Sequence, residues 1–291
     1  MKSSVDGVTL SIRLLLVASV LLLLASGGFW LKLVYYRDNR VFWGAVEQAL
    51  TYQGVTKTQR SAGSEQRVEL TFSPAIGALG YSKYTSPNGV TGSESVATMS
   101  QDFARYTTLQ KTDKSTALDT TEIENIWVNT SVEGKKESKL LGDQLTNGLL
   151  IFVGTLPHTQ RTEFVNKLRS SGVYNVIGDT RTETINRKKA TVYRVQINIG
   201  AYNRALTEYL KLIGLPETAS EVGFGEADTS PSFEIAIVPL TREILKVGYP
   251  DLSTQTAEEY SGWGVGRQLT PPTETISSTE FQQRIQKLRN L

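Results

Sequence analysis

The chain has no cysteine and only one histidine, His158, in 291 residues. The first absence excludes a disulfide framework, a thiolate metal site and a cysteine nucleophile. The second leaves no histidine-rich zinc site and argues against a His-based triad. His158 beside Pro157 reads as an exposed loop imidazole, with a His–Glu pair as the alternative. No sign of charge dominates: the net charge is +2, and no region concentrates Lys and Arg into a nucleic-acid footprint. The sequence lacks GxxxxGK[ST], GxGxxG after a strand, HExxH and GxSxG. "GWGVG" at 262–266 is glycine-rich but opens no helix, and reads as a bend or bulge in a curved sheet. The carboxylate pairs Glu122/Glu124 and Glu258/Glu259 read as surface groups, not as a general acid and base. "NTS" at 129–131 matches a glycosylation acceptor, which matters only in a host with that machinery. These absences predict a protein that is not an enzyme, with no cofactor, no metal and no nucleic-acid partner.

What is present begins at the N-terminus. "LLLVASVLLLLASGGFWL" (14–31) carries no charge and matches the roughly 20 apolar residues a membrane-crossing helix needs. A helix there satisfies its own backbone hydrogen bonds in lipid. Phe29, Trp30, Tyr35 and Tyr36 gather at one end, as amphipathic rings do at a membrane boundary, and Arg13 closes the other. "ASG" at 25–27 is a tolerable cleavage site, but "GFWLKLVYY" would be an unusually apolar new N-terminus. The reading is therefore a short tail (1–13), an uncleaved single-pass signal anchor (14–34) and a body (40–291). Lys32, Arg37 and Arg40, which follow the uncharged run 14–31, do not support an outside C-terminus. Long domains translocate largely regardless of such charges. The cysteine-free, Ser/Thr-rich body fits an extracytoplasmic setting, so the expected location is a cell membrane with the body outside.

In the body, "VFWGAVEQALTYQGV" (41–55) has helical spacing through Phe42, Val46, Ala49 and Leu50. "QRVELTF" (66–72) alternates, and "GYSKYTS", "DFARYTTL" and "NIWVNTS" are short extended candidates. "EGKKESK" (133–139) reads as a solvated charged loop and "GLLIFVGTLP" (148–157) as a buried apolar run. A helix follows over 158–172, then a strand (173–178) and a polar turn region (179–190). In "ATVYRVQINIGAYNRALTEYLKLIGLP" (190–216) the period changes from 2 to 3.6 at Gly200. Tyr193, Val195, Ile197 and Ile199 share one face of a strand, while Tyr202, Leu206, Tyr209, Leu210 and Ile213 share one side of the helix. "PSFEIAIVPLTREILKVGYP" (231–250) reads as two strands around "PLTR": Phe233, Ile235 and Ile237 share a face, and Ile244, Lys246 and Gly248 alternate with Leu245, Val247 and Tyr249. "EEYSGWGVGRQL" (258–269) reads as a last strand. Ser278 or Thr279 is expected to cap a final helix carrying Phe281, Ile285 and Leu288. Dominant strands with short or polar links predict an α+β antiparallel domain with helices against one face.

The stretches "YRVQINIGAYNRALTEYLKLIGLP", "FEIAIVPLTREILKVGY" and "YSGWGVGRQLTPPTETISSTEF" resemble, in order and texture, the LolA/LppX/LprG-like group of envelope lipid- and lipoprotein-binding proteins, over roughly residues 140 to 285. The resemblance implies a strongly curved sheet, an open half-barrel, with helices on the concave face and acyl chains held between the two. It carries over no catalytic residue. The acylated cysteine of lipid-anchored members is missing, with Gly27 or Gly28 in its place, so a protein anchor replaces a lipid one and free shuttling between membranes does not follow. Tyr193, Val195, Ile197, Ile199, Phe233, Ile235 and Ile237 are the candidate ligand-pocket residues, with a lipid or lipoprotein acyl chain as ligand. The alternative is a non-enzymatic scaffold or sensory module in which the same residues are core.

Overall fold

The computed structural model describes Ser19 and residues 38–111, 119–223, 230–250 and 257–289. The expected tail (1–13) and, Ser19 apart, the expected span (14–34) lie outside the described residues. Among the described residues, no helix is long and apolar enough to cross a membrane.

Twelve strands form one open, curved sheet. A first meander runs through β1 (Gly54–Ser61), β2 (Ser64–Thr71), β3 (Gly77–Ser86), β4 (Gly89–Ala97), β5 (Asp102–Lys111) and β6 (Trp127–Asn129). A second runs through β7 (Tyr174–Ile185), β8 (Lys188–Ile197), β9 (Ser232–Ile237), β10 (Ile244–Gly248) and β11 (Ala257–Ser261). The pairing of β11 with β1 joins them into one sheet. The last strand, β12 (Thr275–Ser277), crosses to the far edge and pairs with β6 in parallel. The sheet is thus mostly, not wholly, antiparallel: β11 ends in mid-sheet, and residues 262–274 carry the chain to an edge that β12 meets running the same way.

The helices sit in the connections. α1 (Asp38–Ala49) precedes β1, α2 (Lys139–Thr146) and α3 (His158–Ser170) lie between β6 and β7, α4 (Ile199–Leu212) and α5 (Pro216–Glu221) lie between β8 and β9, and α6 (Ser278–Arg289) ends the chain. α1 through α5 bury apolar residues in one cluster with the inward-facing residues of the sheet, including Val55, Leu70, Val195 and Ile235. α6 covers the far end, packing Phe281 and Leu288 against Ile123 and Val128. On the opposite face the clusters are small: Ile185, Val192, Ala236 and Leu245 at one end, and Leu79, Val96 and Phe103 under Leu269 at the other.

Several local expectations change for definite reasons. β7 and β8 run through most of the predicted turn region because the turn needs only Asn186 and Arg187, at φ 50° and 65°. Two successive left-handed residues match strand twist in a two-residue hairpin. In β10 a register shift between Ile244 and Lys246 places Ile244 and Val247 in the main core and Leu245 outside. An inserted residue breaks strict alternation in this way. β11 stops at Ser261, and 262–269 is irregular, with Gly262 and Gly264 at positive φ. The cap of α6 is Ser277, whose Oγ accepts from the Glu280 amide at 3.1 Å. β1 and β4 had no apolar period to announce them, and α2 is a short helix with a single apolar i, i+4 pair, Leu141 and Leu145. α2 is positioned instead by its cap: Ser138 Oγ accepts from Leu141 N at 2.9 Å and donates to the buried carboxylate of Asp102 on β5. The charged loop is not simply solvated either, since the Glu137 carboxylate accepts from the amides of Glu217 and Thr218 at the start of α5, at 2.8 and 2.7 Å.

Candidate functional site

The inner face of β8 and β9 assembles as the alternation requires. Tyr193 pairs with Ile235 and Val195 with Phe233 across the two strands, which puts these residues on one face with Ile197 and Ile237. All six are 0–2% exposed and belong to the main apolar cluster. The seventh residue, Ile199, is not on the strand. β8 ends at Ile197, and Asn198 caps α4 by accepting from Ala201 N at 2.9 Å, so Ile199 is the first helical residue and half-buried. The bend expected at Gly200 therefore falls two residues earlier, at an Asn that stops the strand and starts the helix together. Aromatic residues meet this face: Phe42 of α1 lies 6.2 Å from Tyr193, and Tyr174 lies 6.4 Å from Phe233.

Between α2 and α3 the main chain crosses the core with neither helix nor strand. Leu149, Ile151, Phe152, Val153 and Leu156 are 0–4% exposed, yet 148–157 makes only an isolated bridge from Thr155 to Thr51. An irregular buried segment must satisfy its peptide groups some other way, and here side chains do much of it. Tyr202 OH donates to Leu149 O at 2.5 Å, Tyr174 OH to Leu150 O at 2.6 Å and Tyr209 OH to Val153 O at 2.5 Å. Lys57 Nζ donates to Gly148 O at 2.5 Å. The amides of Gly154 and Leu156 donate to the end of α1, at Ala49 O and Leu50 O. The Phe152 ring lies 5.1–5.3 Å from Phe164, Tyr202 and Tyr209. The segment therefore lies among α1, α3, α4 and the sheet. The sequence shows its apolarity but not its tethers, because tyrosines at helical spacing look like ordinary core.

The lysine tether opens a polar cluster that sequence reasoning missed. Lys57 sits on β1 among Thr and Gln, with no signal of burial, yet is 8% exposed. Its ammonium is 3.5 Å from the buried carboxylate of Glu258 on β11. Tyr260 OH donates to the same carboxylate at 2.7 Å, and Tyr249 OH lies 3.4 Å from it. Glu258, read from sequence as a surface group, is thus an interior counter-ion, while its neighbour Glu259 is outside, 3.6 Å from Arg60. Burial, then the Glu258 charge, pushes the Tyr260 and Tyr249 hydroxyls well above the ordinary phenol value. Burial does the same to Tyr174, Tyr202 and Tyr209. These phenols are donors fixed in the neutral form, not bases.

Open clefts lie away from this layer. One of about 690 Å³ at the β3–β4 hairpin is lined by Tyr84, Val90 and Leu109. Another, of about 590 Å³, lies over the sheet beside Arg67, Tyr81 and Glu94. A third, of about 520 Å³, runs along α1.

No family model and no curated protein matches the chain. Solved structures similar to it include two mycobacterial proteins. The crystal structure of LprF from Mycobacterium bovis has a TM-score of 0.41 and 11% identity, covering 80% of this chain and 95% of that one. The crystal structure of the Mycobacterium tuberculosis lipoprotein LppX has a TM-score of 0.41 and 13% identity, covering 80% of this chain and 100% of that one.

Proposed function

We propose that this protein is a membrane-anchored, extracytoplasmic half-barrel that binds a lipid or the acyl part of a lipoprotein between its sheet and its helices. The observation that carries the reading is the irregular filling of that layer. Regular elements would lock a core with backbone ladders, whereas 148–157 is held largely by individual side-chain hydrogen bonds. Such bonds are worth about 1 kcal/mol each, so the segment is the part of the core most easily exchanged for an acyl chain. Tyr193, Val195, Ile197, Phe233, Ile235 and Ile237 would then line one wall, with Ile199 at its rim. The segment 14–34, uncharged from Leu14 to Leu31, supplies the anchor. The reading assigns no catalytic residue and needs no cofactor.

A self-filled scaffold or sensory module is the second reading, favoured by the 0–2% exposure of the six wall residues. One experiment separates the two. The full chain is reconstituted in vesicles containing a phospholipid with a photoactivatable group at its acyl terminus, and the cross-linked peptides are mapped. Acyl binding places cross-links in 148–157 and on β8 or β9. Cross-links confined to 14–37 would sink it and leave the scaffold.

A further inference from the structure

The cleft along α1 is lined by four arginines, from three separate parts of the fold. Arg40 comes from α1, Arg161 and Arg169 from α3, and Arg242 from the β9–β10 turn, with Glu47 as the carboxylate among them. α1 buries Val41, Phe42, Ala45, Val46 and Ala49, so Arg40, Gly44 and Glu47, at helical spacing, form its other stripe.

Three details indicate that the cleft is built for a ligand. Arg242 holds a left-handed backbone, φ 61°, which is uncommon for a long side chain and gathers at functional sites. Arg161 is 18% exposed; its guanidinium meets Leu156 O at 3.2 Å, His158 Nδ1 at 3.0 Å and Glu47 at 3.9 Å, while among the described residues its buried Nε has no hydrogen-bond acceptor. The Arg169 guanidinium lies over the face of Trp43, at 5.1 Å.

We propose that this cleft is an oxyanion site for phosphate, and that its occupant is the phosphate of a membrane-lipid headgroup. Guanidinium forks match phosphate oxygens, and arginines converging from several walls suit a tetrahedral anion better than a flat carboxylate. The source follows from the proposed anchor: residues 35–37 alone separate its end at 34 from Asp38, at most about 14 Å of chain, so an anchored chain would hold Arg40 within reach of the bilayer surface. The anion site stands apart from the acyl-binding reading; only the choice of source rests on the anchor.

The test is arginine modification by phenylglyoxal, read residue by residue, on the full chain in phosphatidylcholine vesicles. It is repeated with inorganic phosphate added and with phosphatidic acid in the vesicles. Arg187, at the tip of the β7–β8 hairpin, is the reference. Arg161 and Arg169 are expected to be protected about tenfold relative to Arg187 in the phosphatidic acid vesicles. Arg169→Gln, an exposed substitution, should remove most of the protection at Arg161, which mere accumulation of anionic lipid near the chain would not explain. Protection by inorganic phosphate alone keeps the oxyanion site and overturns the headgroup as its occupant. Modification of Arg161 and Arg169 at the same rate in all three conditions, or protection of Arg161 that survives Arg169→Gln, overturns the site.

Discussion

The tyrosine tethers of 148–157 can be cut without disturbing the packing around them. Tyr202→Phe and Tyr209→Phe keep the rings beside Phe152, at 5.3 and 5.1 Å, and remove only the hydroxyls. Each hydroxyl is buried and donates to a carbonyl of the segment, Leu149 O or Val153 O, at 2.5 Å. Leaving a buried acceptor without its donor costs about 1–3 kcal/mol. At about 1.4 kcal/mol per tenfold, each substitution should raise the opening equilibrium of the segment roughly 5- to 150-fold. Both act on one stretch of chain, so the double variant should depart from additivity. The assay is amide hydrogen exchange on the detergent-solubilised full chain. Gly154 N and Leu156 N report directly, since they donate to Ala49 O and Leu50 O at 3.0 and 2.9 Å. Faster exchange at these two amides, with the β3–β4 ladder unchanged, is the expected pattern. Unchanged rates at Gly154 and Leu156 would show that the hydroxyls do not hold the segment. Acceleration spread evenly over the sheet would show that the segment is no separable unit. If acyl chains enter here, the double variant should also give more photo-cross-linking in 148–157.

Three other perturbations follow from the same core. Lys57→Met strands the Glu258 carboxylate, 3.5 Å away at present, and should cost about 3–5 kcal/mol; adding Glu258→Gln should recover part of it, and a double-mutant cycle by thermal unfolding showing no coupling would contradict the pairing. Tyr174, Tyr202, Tyr209 and Tyr260 all have hydroxyls raised by burial. Their neutral forms favour the fold, so the contribution is complete below the ordinary phenol value of about 10 and is lost as pH rises above it, at up to about 5 kcal/mol per pH unit for the four. The share of tyrosinate absorbance due to these four of the twelve tyrosines should therefore lag until the circular dichroism collapses, and full ionisation in a folded chain would refute the burial argument. Gly54→Ala would bring a Cβ to 2.2 Å from Val265 O and 2.9 Å from Leu70 O. Neither backbone can yield cheaply, so a loss of about 1–3 kcal/mol is expected, measured as a lower unfolding midpoint.

The sequence revealed the parts of the fold that rest on local periodicity. The two periods around residue 198, the stripe of α1 and the apolar face of α6 each require one face to be buried, and each is buried. The shared inward face of Tyr193, Val195, Ile197, Phe233, Ile235 and Ile237 on β8 and β9 was readable for the same reason. Polar elements were not. β4 (Gly89–Ala97) carries Ser, Thr and Gly at most positions, and it forms because β3 and β5 offer it ladders on both edges. α2 depends on Ser138 and Asp102, which are far apart in the chain. Ile199 was misplaced by two residues because Asn198 fits a strand pattern and a helix cap equally well.

By itself, then, the sequence determined that an α+β body of alternating strands follows an uncharged run long enough to cross a membrane, since hydrophobic period and length are properties of consecutive residues. Only the tertiary structure decided which groups share the interior. It paired β11 with β1, brought Lys57 to Glu258, hung the carbonyls of 148–157 on tyrosines from β7 and α4, and gathered arginines from α1, α3 and the β9–β10 turn around one cleft. Those meetings depend on strand order and helix placement over long separations, which no local pattern encodes.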